Sequence, residues 1–105
     1  MGTRARPKPK RLAVKLRQIR EALGLSQSEM LKRLGVEDDV SLKRMSDYEL
    51  GVREPSLITL LQYARAAGIH MEALVDDELN LPDKLPGDVK HENIRRKYAA
   101  HNKTR

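Results

Sequence analysis

The densest set of reaching polar side chains at helical spacing lies in Ser41-Leu42-Lys43-Arg44-Met45-Ser46-Asp47-Tyr48-Glu49-Leu50-Gly51. On a helix, Met45 and Tyr48 share one apolar face at a step of three, while Leu42, Lys43, Ser46 and Asp47 project elsewhere. Such a helix is held from behind and presents donors, acceptors and charge in front. Its chemistry is recognition. Catalysis finds no comparable foothold: His70, His91 and His101 stand far apart with no carboxylate or nucleophile arranged around them, and no glycine-rich phosphate loop occurs. The adjacent Asp38 and Asp39 lack the spaced ligands calcium needs, and read instead as caps for the helix that follows. With no cysteine there is no disulfide framework and no thiolate metal site. The expectation is a chain that is not an enzyme and carries no metal or cofactor.

The elements that must hold this stretch can be read in order. A first helix spans about Leu12 to Leu23, with Leu12, Leu16, Ile19 and Leu23 on one face; Gly24 ends it and Leu25 folds back. Ser26-Gln27-Ser28-Glu29 is a capping box, in which hydroxyl and carboxylate satisfy each other's backbone amides. The second helix, from Gln27 to about Leu34, turns Met30, Leu31 and Leu34 inward before Gly35. An acidic turn, 36–40, leads to the third helix at about 41–50, and Gly51 closes it. Ser56 caps a fourth helix with Leu57, Leu60, Leu61, Ala64 and Ala67 on one face and Gly68 as its stop. A fifth starts near Met71 and carries Leu74 and Val75 inward; Leu79, Leu81 and Leu85 continue as a proline-punctuated strap. Residues 89–100 have modest helical character.

At 105 residues there is room for one hydrophobic core. The absence of Phe and Trp leaves Leu, Ile, Val, Met and Ala to build it, which favours an all-α domain. The net charge of +6 is segregated: residues 1–11 hold +5, residues 82–105 hold +4, and residues 12–81 hold −3. A uniformly basic coat is excluded, and a polyanion would be met by a local patch assisted by an arm. Residues 1–11, with Arg4, Arg6, Lys8, Lys10 and Arg11 spaced by Pro7 and Pro9, read as a disordered arm able to follow phosphates or a groove. No stretch approaches the roughly 20 apolar residues that span a bilayer, so a cytoplasmic protein without membrane contact is expected. The domain plan is an arm at 1–11, a helical domain at 12–81 and a basic tail at 82–105.

Several residue groups then align with one family pattern: Leu16, Ile19 and Arg20 before Gly24-Leu25-Ser26-Gln27; Met30 with Leu34-Gly35-Val36; Met45-Ser46 with Tyr48-Glu49-Leu50-Gly51; Arg53-Glu54-Pro55-Ser56; and Leu60-Leu61 with Ala64, Ala67-Gly68-Ile69 and Leu74. From about Leu12 to Val75 the chain resembles the DNA-binding domain of the lambda-repressor-like and Cro-repressor-like regulators, the XRE family. The resemblance implies a bundle of five helices whose second and third form a helix-turn-helix, with the third in the major groove. It implies that Gln27 contacts a phosphate, that Leu42, Lys43 and Asp47 face bases, that Ser41, Arg44 and Ser46 flank them, and that Arg53 approaches the backbone. Lys43 suits guanine acceptors and Leu42 a thymine methyl, while Asp47 must face a cytosine amine or point away. Arg20 and Glu49 match a structural ion pair of the family. Two departures stand out: Leu31 replaces a usually small residue, and the turn from Gly35 to Met45 is longer by about four residues than the usual helix-turn-helix turn.

These implications amount to a repressor that binds an inverted repeat in double-stranded DNA as a homodimer, with Leu74, Leu79 and Leu81 as candidate dimer contacts. The rival is a protein-interaction module, a toxin-neutralising antitoxin or a bridging coactivator, using the tail past Leu81 to hold a protein partner.

Overall fold

The computed structural model describes residues 8–87, which form five helices and no strand: α1 (Leu12–Ala22), α2 (Gln27–Leu34), α3 (Leu42–Leu50), α4 (Leu57–Ala67) and α5 (Met71–Val75). The all-α, five-helix expectation is met. Serine opens three of the helices. Ser26, Ser41 and Ser56 each accept a hydrogen bond from the amide three residues on, at Glu29, Arg44 and Thr59, which satisfies one of the donors a helix start leaves unpaired. α3 is thus opened by Ser41 alone. Asp38 and Asp39, expected as caps, are exposed and cap nothing there.

α1 packs against α3, α4 and α5, and α2 packs against α3 and α4. The third helix is therefore held from behind by α1 and α2. Leu16, Ile19, Met30, Met45, Tyr63 and Leu74 are fully buried where these elements meet. The long acidic turn is anchored rather than loose. Val36 and Val40 are buried in the same core, and Val40 donates its amide to the Val36 carbonyl at 2.8 Å, so the excess residues form one tight turn. Its acids, Glu37, Asp38 and Asp39, remain outside.

Two inward expectations fail at element ends and one is met in part. Leu57 is 75% exposed because the first turn of α4 stands clear of the bundle and the helix joins the core at Thr59 and Leu60, while Leu61 is half-buried. Tyr63 takes the interior place instead. Val75, the last residue of a five-residue helix, is exposed, since α5 buries Leu74 and leans Met71 on the core, on the other side. At the other end the packed body extends beyond residue 81: Leu85 and Gly87 are buried and Leu81 leans on the core. Gly87 lies against the end of α4, where a Cβ on it would collide with the Ala66 carbonyl and the Ala67–Gly68 backbone, and one on Gly68 would collide with Gly87. Both positions need glycine for contact, and Gly68 also needs it for its φ of +70°. The sequence-predicted helix at 89–100, and the tail it belongs to from residue 88 onward, lie outside the described residues.

Candidate nucleic-acid interface

α3 separates its faces as the side chains dictate. Met45 and Tyr48 are buried, and the Tyr63 hydroxyl donates to Met45 Sδ at 3.0 Å, which fixes the back of the helix. Burial pushes the Tyr63 hydroxyl pKa up, with the neighbouring Glu49 carboxylate adding to it. Ser41, Leu42, Lys43 and Arg44 are exposed in and before the first turn, and Ser46 and Asp47 are half-buried on the next. Lys43 Nζ lies 3.7 Å from Asp47 Oδ2, with side-chain exposures of 86% and 19%. A pair so open on the lysine side contributes a few tenths of a kcal/mol at most, so the ammonium is free to leave for a better acceptor. Asp47 is supplied with a cation by its own helix. Its carbonyl accepts the amides of Val52 at 2.9 Å and Arg53 at 3.3 Å, which folds the chain after Gly51 and sets where Arg53 starts.

The structure brings Arg20, Glu49 and Gln27 into one hydrogen-bonded group. Arg20 Nε donates to Glu49 Oε2 at 2.7 Å and Nη2 donates to Oε1 at 2.9 Å, while Nη1 donates to the Leu25 carbonyl at 3.0 Å. The glutamate side chain is 5% exposed and the arginine 16%. Such a fork-to-fork pair is among the stronger polar contacts a protein makes, and it ties α1, the α1–α2 turn and α3 together at one point. The hydrogen bond to Glu49 is the main reason the Arg20 pKa is raised. Gln27 Nε2 donates to Glu49 Oε1 at 3.3 Å. One amide hydrogen is thereby used to aim the side chain, and the second is left for an acceptor outside. At the start of the same helix the capping box is complete, with Ser26 Oγ accepting from Glu29 N at 3.1 Å and Glu29 Oε1 accepting from Ser26 N at 2.9 Å. The bond from the Ser26 amide holds the Glu29 carboxyl below its ordinary range.

Other site residues fall elsewhere. Leu74 is fully buried between α5 and the rest of the bundle and has no surface to offer a second subunit; Leu81 is partly covered, and of the three dimer candidates only Leu79 is exposed. Arg4 and Arg6 lie outside the described residues. Lys8 and Lys10 are exposed, but the backbone of Lys10 and Arg11 is tied to Asp77, so these two residues are not part of a free arm. Asp77 and Asn80, which hold them, were not singled out by sequence reasoning, and nor was Lys15. That lysine is fully buried on the inner face of α1, and its Nζ donates to the Ala73 and Asp76 carbonyls at 2.7 and 2.8 Å, closing the end of α5. Burial is the main cause that lowers its pKa, and Arg11 adds to it, against the opposing pull of Asp77 and Asp76. The signal was present: Lys15 shares a face with Leu12, Leu16 and Ile19.

A short helix braced from behind, its polar side exposed, preceded by a capped helix whose first glutamine is aimed by the same brace, defines a helix-turn-helix DNA-binding unit. A family model described as Helix-turn-helix matches residues 16–74, more than half of the chain. The chain belongs to that family, the lambda-repressor-like helix-turn-helix of the XRE type, which is a DNA-binding regulatory family and not an enzymatic one. Searches of curated proteins and of solved structures return no match.

Proposed function

We propose that this DNA-binding transcription regulator is a repressor that recognises an inverted-repeat operator as a homodimer, α3 entering the major groove and blocking the site by occupying it. The observation that carries the reading is the brace of Arg20, Glu49 and Gln27, which fixes α3 and the start of α2 to one another. That leaves Leu42, Lys43 and Asp47 to meet base edges, Ser41, Arg44 and Ser46 to flank them, and Gln27 and Arg53 to meet phosphates on either side. No helix among the described residues is long and apolar enough to cross a membrane. For the dimer, the apolar side chains exposed among the described residues and outside the base-reading face include Leu50, Val52, Leu57 and Ile58 around the α3–α4 turn, and Leu79. These, in place of Leu74, are the surface for a second subunit.

Footprinting and equilibrium titration of single variants on a selected operator test this. Lys43→Ala should weaken the operator by about 1–3 kcal/mol and relax preference at one base position in each half-site. Gln27→Ala should weaken all sequences alike. If both variants weaken all sequences equally, Lys43 contacts phosphate and α3 does not read bases in this orientation.

A further inference from the structure

The basic N-terminal segment is latched before it meets the bundle. Asp77 accepts the Lys10 amide at Oδ2 (2.9 Å) and the Arg11 amide at Oδ1 (3.0 Å). The Arg11 guanidinium then donates to the Asp77 carbonyl at 2.6 Å, the Leu79 carbonyl at 3.3 Å and Asn80 Oδ1 at 2.6 Å. Two adjacent residues are thus held to the segment after α5. The two donated amides keep the Asp77 carboxyl below its ordinary range.

Beyond that latch, Pro9 and Lys8 run beside the turn after α3. They form one wall of a cleft of about 300 Å³ whose other wall is the end of α3 and the turn after it, including Tyr48, Gly51 and Arg53. Lys8, Lys10 and Arg53 therefore border the same cleft beside the recognition helix, with Glu54 as its one acid. Arg4 and Arg6 precede Lys8 in sequence and lie outside the described residues.

We propose that Asp77 is a positioning residue for DNA binding: by clasping Lys10 and Arg11 it holds residues 8–10 along the α3–α4 turn, so that Lys8, Lys10 and Arg53 grip one run of the phosphate backbone together. The inference rests on the DNA-binding reading above. It makes a prediction that simple electrostatics reverses. Removing an acid from a chain that binds a polyanion should tighten binding, whereas releasing the latch should loosen it.

The test uses the full chain and a labelled duplex of mixed sequence, titrated by anisotropy at two salt concentrations. Four proteins are compared: unmodified, Asp77→Ala, an arm variant with Lys8, Lys10 and, across the cleft, Arg53 all changed to Ala, and the combination. Asp77→Ala should weaken binding about five- to tenfold near physiological salt and lower the salt slope by about 1 to 2. In the arm-variant background the same change should matter less than about twofold, since little is left to aim. Asn80→Ala, which loosens the Arg11 grip at an exposed site without changing net charge, should shift affinity in the same direction by a smaller factor. That variant also covers the case in which Asp77→Ala fails to fold. Tighter or unchanged binding by Asp77→Ala, or an equal loss in both backgrounds, would overturn the inference and leave the DNA-binding reading standing. Absence of any duplex binding by the unmodified chain would overturn both.

Discussion

Glu49 sits where three parts of the chain meet, and its carboxylate has to be charged to hold both Arg20 and Gln27. At 5% exposure it has little water to fall back on. Arg20→Ala should therefore cost about 3 kcal/mol of folding stability, most of it the penalty of a stranded carboxylate, and Arg20→Ala with Glu49→Ala should cost less than the sum of the two single changes. Denaturant unfolding of the four proteins measures that coupling; strict additivity would mean that the pair fixes nothing. At this scale the sequence was partly legible. Arg20 and Glu49 could be paired because they fall in a family pattern, and Met45 and Tyr48 because they share a helix face. Lys15 and Asp77 could not, since their partners are backbone groups 58 to 67 residues away, and a carbonyl or an amide has no side-chain signature in a sequence.

The elements themselves were set by local chemistry. Ser26, Ser41 and Ser56 start helices and left-handed glycines stop them, Gly51 at φ +77° and Gly68 at φ +70° among them. Which residues in an element face inward depends on where its neighbours end, and that is why Leu57 and Val75 were misplaced while Leu60 and Leu74 were not. The close approach of Gly87 to the end of α4 is of the same kind: nothing near Gly87 in sequence announces it. Gly87→Ala should cost on the order of 1–3 kcal/mol through overpacking, and for a domain of this size each kcal/mol lowers Tm by roughly 4–8 °C. A thermal melt unchanged by the substitution would show that the segment does not pack there. The turn before α3 makes a complementary prediction. Val40→Ala, which empties a core position, should destabilise by about 1–3 kcal/mol, whereas Asp38→Ala and Asp39→Ala, both exposed, should leave unfolding within about 0.5 kcal/mol.

Over the whole molecule, charge is segregated between a net acidic middle and basic ends, and the Asp77 latch joins the two. Because the folded chain holds the Asp77 carboxyl below its ordinary range, the latch contributes stability above about pH 4, the ordinary carboxyl value, and loses it as pH falls through the lowered one. Hydrogen exchange should show protection of the Lys10 and Arg11 amides fading on acidification while the interior of α1 stays protected; simultaneous loss at both places would mean the segment has no separate latch. The central claim concerns what the braced α3 reads, and it is tested most directly by selecting bound duplexes from a random library near physiological salt and sequencing them. The account predicts an inverted repeat with half-sites roughly one helical turn apart, its preference relaxed at one base position of each half-site by Lys43→Ala. Recovery of nothing beyond a salt-sensitive background would contradict it, leaving only non-specific affinity from the basic ends and turning attention to a protein partner.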